Sequence, residues 1–179
     1  MKIEIWSDVM CPFCYIGKRK FEQALAQFEH TDEVEVTWKS FQLNPDMQTV
    51  SDKNITQYLA EIKGWSFEQD KSMNDHVTAL AKEVDLQYNF DKALVANSFD
   101  AHSLIQMAKK HGKDNEAEER LFKAYFTEGK NIADYDTLMN IGVELGLDKT
   151  AIKKLEEYLS KGYLTKEEFE KKKNDIINK

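Results

Sequence analysis

The sequence predicts an α/β fold in two unequal parts: a short strand–helix–strand unit, then a long stretch built of helices. Three observations predict it. Residues 2–7, centred on Ile3-Glu4-Ile5-Trp6, read as a buried strand. Residues 12–29 place Ile16, Phe21, Leu25 and Phe28 at helical spacing. The segment Glu33-Val34-Glu35-Val36-Thr37-Trp38 then alternates strictly, which is the period of a second strand.

A strand–helix–strand unit of this length implies a right-handed crossover and parallel pairing. Trp6 and Phe41 are expected in its core. The alternation changes phase before Phe41 and Leu43, marking a bulge or the strand's end. From about Ser51 onward no segment reads as a strand. Helices are expected over 54–63, 66–85, 98–111, 114–128, 135–145, 149–161 and 166–178. Ser66 with Gln69, and Thr165 with Glu168, match the capping-box spacing. Gly64, Gly112, Gly129, Gly146 and Gly162 stand where these helices should stop. Phe122, Tyr125 and Phe126 share one helical face and read as packing. The division is therefore 1–50 for the strand–helix–strand part, 51–147 for a helical domain and 148–179 for a helical tail.

Composition narrows the function. The chain has 179 residues, 41% hydrophobic and 32% charged, with a net charge of −7. That suits a globular protein and argues against nucleic acid or an anionic membrane surface as partner. No stretch approaches transmembrane length, and no basic, apolar leader precedes the first strand, so the cytoplasm is the expected location. The tail is the more basic end: residues 148–179 hold 9 Lys and 7 acidic residues, interleaved as on a solvated helix face.

Cys11-Pro12-Phe13-Cys14 carries the chemistry, and the chain has no other cysteine. It joins the first strand to the first helix. With Cys11 as N-cap, its sulfur would face the unpaired N–H groups of the first turn, and Pro12 would sit where its missing N–H is not needed. The positive helix end stabilises a thiolate, and such placement brings a cysteine from about 8.5 into roughly the 3.5–7.5 range. Cys11 is the expected nucleophile. Cys14, one turn on and expected to be more buried, would resolve the mixed disulfide. A structural zinc site needs four ligands, and His30, His76, His102 and His111 all lie far from the cysteines in sequence, so no metal is expected. No Gly-rich phosphate loop is present, so no organic cofactor is expected either.

The stretches SDVMCPFCYIGK (7–18), WKSFQLNPD (38–46), ANSFDAH (96–102), ERLFKAYFTEGKNI (119–132) and LGLD (145–148) together resemble the DsbA-like branch of the thioredoxin superfamily. The resemblance is specifically to FrnE-like dithiol–disulfide isomerases, which are similar to hydroxychromene-carboxylate isomerases. It implies a thioredoxin-like fold whose sheet is interrupted by an inserted all-α domain that caps the active site. It also places Asn97 and His102 facing the cysteines, where they would contact substrate. Against that, Asn97 or Ser98 reads as a helix cap and His102 as a hydrogen-bonded helical residue. Asp8, three residues before Cys11, would tune the thiol, relay a proton or hold a turn; Pro12 and Phe13 support the motif.

One departure from the family pattern stands out. A thioredoxin-like domain resumes after the helical insert with two strands, a helix and a cis-proline loop beside the cysteines. Here the prolines are Pro12 and Pro45 alone, and nothing after Leu147 reads as a strand. The tail matches either the family helices before those strands or, over 159–169, a SHOCT-like hairpin. A two-stranded remnant would expose an edge for helices or a second copy to cover. The leading expectation is a thiol–disulfide oxidoreductase or isomerase acting on protein or low-molecular-weight disulfides, with glutathione as a co-substrate. The alternatives are a glutathione-dependent small-molecule isomerase, whose relatives carry serine at the Cys11 position, and a non-catalytic binding module.

Overall fold

The structure, a computed structural model, describes residues 1–148, 150–154 and 157. Strand β1 (Lys2–Ser7), helix α1 (Pro12–Ala26) and strand β2 (Glu35–Ser40) form the expected unit, with a 3-10 turn at Thr31–Glu33 leading into β2. β1 and β2 pair in parallel from Lys2 opposite Glu35 to Ser7 opposite Ser40. The Phe41 N–H adds one more bond, 3.0 Å to the Ser7 carbonyl, so the phase change before Phe41 marks the strand's end.

Two short strands were not legible in the pattern. β3 (Val50–Asn54) pairs antiparallel with β4 (Leu94–Val95) across an irregular register. Five residues and two residues are too few to display a period. Asn54 then caps α2 (Ile55–Lys63), its side chain accepting from the Thr56 N–H at 2.7 Å. α3 (Phe67–Lys82) opens with the complete capping box of Ser66 and Gln69. It stops short of the expected residue 85 because Asp85 takes a φ of +60°, a left-handed turn that Asp tolerates better than most residues.

α4 (Phe99–Lys109), α5 (Asp114–Lys123), a π-helical turn at Ala124–Glu128 and α6 (Tyr135–Glu144) complete the helical part. Its core is Leu104, Ile105, Leu121, Phe122, Tyr125, Phe126, Leu138 and Ile141, all essentially inaccessible. Gly129 ends the π turn at a φ of +68°, pressed against Lys92. Asp148 accepts from the Ala151 N–H at 2.8 Å and starts a further helical turn. The helix expected over 166–178, most of that over 149–161, the Thr165/Glu168 box and the SHOCT-like stretch lie outside the described residues.

Two of the joints between the helices and the N-terminal unit show how they are held together. The first is aromatic and ionic. Tyr15 of α1 stacks on Phe122 with ring centroids 4.7 Å apart, and its hydroxyl donates to Glu119 at 2.6 Å. Arg19 also binds Glu119, and Lys18, its side chain only 1% exposed, reaches both Glu22 and Glu119. The second joint is polar. Gln106 donates to the Ser40 hydroxyl at 2.8 Å, which lays α4 along β2.

Trp6 is not in the core: it is 47% exposed. Among the described residues β1 pairs with β2 alone, so alternate β1 side chains meet no second strand's neighbours. Phe28 is likewise exposed, because α1 ends at Ala26 before its face reaches that residue.

Candidate active site

Cys11 is the N-cap of α1, with an extended backbone (φ −89°, ψ 111°), and Pro12 follows at the helix start. The Cys11 N–H donates to the Asp8 carbonyl at 2.9 Å, and the Cys14 N–H to the Cys11 carbonyl at 3.1 Å. This tight turn brings both thiols to the first turn of the helix. Both cysteines are free and half-buried, so the expected contrast in burial between them is absent. Phe13, between them, is exposed.

The thiols titrate together. A hydrogen bond between them holds Cys14 down at about 7 against the effect of burial, with help from backbone at Asp8 and the Ser7 hydroxyl. The same hydrogen bond, and burial, push Cys11 up, while the N–H groups of Cys14 and Phe13 favour its thiolate. A proton shared in this way belongs to the pair: the first ionisation is easy and the second hard.

Behind the pair lies a buried polar cluster drawn from four elements. Ser7 ends β1, Asp8 follows it, Lys18 is on α1, His102 on α4 and Glu118 on α5, each nearly inaccessible. His102 Nε2 lies 3.4 Å from Asp8 Oδ1. Asp8 also accepts from the N–H groups of Leu43 at 2.7 Å and Met10 at 3.2 Å. Burial pushes the Asp8 carboxyl up, but His102, the Leu43 N–H and the Ser98 hydroxyl outweigh it and leave the group below the ordinary carboxylate range. Glu118 goes the other way. Burial pushes it up, and Ser7, His102 and Lys18 only partly oppose that. The Ser7 hydroxyl favours the charged form of both Cys14 and Glu118.

The structure thus brings Asp8 and His102 together beside the cysteines. Asn97 is committed elsewhere. Its side chain accepts from Gln42 at 2.9 Å and the Phe99 N–H at 2.8 Å, and donates to the Met47 carbonyl at 2.8 Å and that of Pro45 at 3.3 Å. It clasps the loop after β2 to the start of α4. A cleft of about 280 Å³ opens beside Cys14, lined by Trp6, Asp8, Phe41 and Leu43 and mostly apolar. Among the described residues no three His, Cys, Asp or Glu side chains gather as metal ligands.

Sequence reasoning missed Glu118, Lys18 and Tyr88. Glu118 carried a signal, since it falls one helical turn before Leu121 and Phe122, in the apolar face of α5. Tyr88 carried none. It lies in the loop between α3 and β4, yet its hydroxyl donates to the Pro12 carbonyl at 2.6 Å.

A cysteine pair opening a helix after the first strand of a parallel unit, with helices packed over it, defines a thiol–disulfide oxidoreductase on a thioredoxin-like fold. The chain belongs to the family of DSBA-like thioredoxin domains, whose model matches residues 2–175. It is 31% identical over 156 residues to the uncharacterized protein YwbO of Bacillus subtilis (strain 168), spanning 84% of this chain and 69% of that one. The probable DsbA oxidoreductase SCO1869 of Streptomyces coelicolor shares its structure with a TM-score of 0.82 and 32% identity, over 89% of this chain and 70% of that one. The cytosolic disulfide reductase DsbM of Pseudomonas aeruginosa shares the fold, with a TM-score of 0.63 and 17% identity over 90% of this chain and 72% of its own. It has also been solved with glutathione. No helix among the described residues is long and apolar enough to cross a membrane.

Proposed function

We propose that Cys11 and Cys14 are the working couple of a dithiol–disulfide reductase or isomerase of the FrnE-like kind, re-reduced by glutathione in the cytoplasm. The single observation that supports it most is the placement of Cys11 at the N-cap of α1, with Cys14 sharing its proton. When that proton sits on Cys14, the charge rests on Cys11, where the Phe13 and Cys14 N–H groups stabilise it.

The Cys11 thiolate attacks one sulfur of a substrate disulfide, and the other sulfur leaves as a thiolate and takes up a proton. Cys14, giving up its proton, attacks Cys11 in the mixed disulfide and releases the second substrate thiol. The substrate gains two electrons and the pair becomes a disulfide. Two glutathione thiols return it to the dithiol and become glutathione disulfide. The Asp8 charge opposes the ionisation of Cys14, and His102 lies 3.4 Å from that carboxylate. A second copy covering the edge of β1 that is unpaired among the described residues belongs to the same proposal, and sedimentation tests it.

Mass spectrometry with oxidised glutathione tests the roles. The Cys14→Ser protein should accumulate a glutathione adduct on Cys11, while the Cys11→Ser protein should not turn over. Alkylation of Cys14 alone below neutral pH would overturn the assignment.

A further inference from the structure

Through Tyr88 the helical domain hydrogen-bonds the backbone of the cysteine motif. Its hydroxyl donates to the Pro12 carbonyl across 76 residues of sequence. The ring is held on several sides. It stacks on Phe126 at 4.7 Å, meets Phe90 edge-on at 5.6 Å and lies 6.1 Å from Tyr15. A buried ring so fixed aims its hydroxyl at one place.

The carbonyl it finds is half of a peptide unit. The other half is the Phe13 N–H, and that N–H lies toward the Cys11 sulfur and favours its thiolate. The two groups point in opposite directions from one rigid plane. A donor on the carbonyl therefore fixes the orientation of the N–H and, by polarising the amide, makes it a stronger donor. The Pro12 carbonyl already accepts a helical bond from within α1, so the Tyr88 bond is not needed to satisfy it. The hydroxyl also lies close enough to both sulfurs for their charge, after burial and Tyr15, to push it up.

We infer that Tyr88 is a positioning residue for the dithiol: it acts on Cys11 through the Pro12–Phe13 amide and so sets the balance between dithiol and disulfide. This rests on Cys11 being the nucleophile. It gives the helical domain a chemical role in the exchange besides covering the site. A displacement of the helical domain that moves this hydroxyl is thereby transmitted to the thiolate.

Tyr88→Phe keeps the ring and its stacking and deletes only the donor. In the Cys14→Ser background, the thiolate fraction of Cys11 at a fixed pH below its midpoint, read by absorbance near 240 nm, should fall about threefold, the scale of one hydrogen bond. With both cysteines present, the equilibrium constant for disulfide formation against glutathione should rise by a similar factor, because the thiolate is the form that resists oxidation. A ring-fluorinated tyrosine at position 88, a more acidic donor of the same shape, should move both readings the opposite way. It also serves if the phenylalanine variant fails to fold. Unchanged thiolate fraction and unchanged equilibrium, whether or not thermal stability falls, would make Tyr88 a packing residue and overturn the inference. If Cys11 of the Cys14→Ser protein with Tyr88 intact shows no lowered titration, the functional reading fails first, and the two failures are distinguishable.

Discussion

His102 Nε2 stands 3.4 Å from Asp8 Oδ1, with side chains only 3% and 2% exposed, and the two residues come from different parts of the fold. Asp8 lies in the β1–α1 turn and His102 on α4, so the contact ties the helical layer to the cysteine motif. Removing one partner leaves the other buried. His102 is one of the groups that keep the Asp8 carboxyl low, while the Leu43 and Met10 N–H groups hold it independently, so His102→Ala should raise that carboxyl and cost about 1–2 kcal/mol at neutral pH, lost packing included. The pH dependence has a definite sign. The Asp8 carboxyl is lowered in the folded state, so its contribution is fully present above the unfolded value of about 3.9 and is lost as pH falls through the folded value. Urea unfolding from pH 2.5 to 7 should show the variant's deficit above about pH 4 and its decline below. A deficit that persists undiminished into strong acid would mean that the loss is packing and not the Asp8 charge.

Glu118 should show the opposite trend. Burial raises its carboxyl, so the folded state favours the protonated form. That advantage is complete below the unfolded value and is lost as pH rises through the folded one. The groups facing it are Ser7, Asp8, Lys18 and His102. Glu118→Gln does not titrate. It should be more stable than the wild type by about 1 kcal/mol at neutral pH, or about 2–4 °C in Tm, with the gap closing toward pH 4. A glutamine variant that is less stable at pH 8 than at pH 5, relative to wild type, would show that Lys18 or His102 needs the charge.

What the sequence disclosed followed from what is local. β1, α1 and β2 were legible because their periods and the N-cap cysteine with Pro12 are local signals. So were the Ser66–Gln69 box and the glycine stops at Gly64, Gly112, Gly129 and Gly146. Trp6 was placed in the core because a strand pattern shows which residues share a side, not whether anything packs there. β3 and β4 were missed for lack of length. Asp8 and His102 could be singled out one at a time, but their contact spans 94 residues and no spacing rule reports it. Tyr88 meets the motif at a backbone carbonyl, and a tyrosine in a loop announces nothing of the kind.

Gly129 offers a test of the packing between the π turn and the loop before β4. Its φ of +68° disfavours any side chain, and an added Cβ would lie 2.4 Å from the Lys92 Cβ and 2.9 Å from its carbonyl oxygen. Gly112 has the same φ with open space around it. Gly112→Ala should therefore cost about 1 kcal/mol, the left-handed penalty alone. Gly129→Ala should cost about 3 kcal/mol, since the Lys92 backbone has to move as well. Paired thermal melts compare them directly. Equal losses would mean that the loop yields freely.

The cysteine pair itself should titrate as a unit. With Cys14 held down at about 7 by its hydrogen bond to Cys11, the reduced protein should alkylate with an apparent midpoint near neutrality. An ordinary thiol would show it at about 8.5. Below the midpoint the rate should fall about tenfold per pH unit, since only the thiolate reacts. Above it the rate should level off, because the second proton is held by the charge already on the pair. Ser7→Ala removes a hydroxyl that favours the Cys14 thiolate, so it should move the midpoint upward without altering the plateau. Iodoacetamide kinetics from pH 5 to 10 on the wild type and Ser7→Ala decide both points. A rate that climbs steadily past pH 9, with no plateau near neutrality, would show two independent thiols and remove the shared proton from the mechanism.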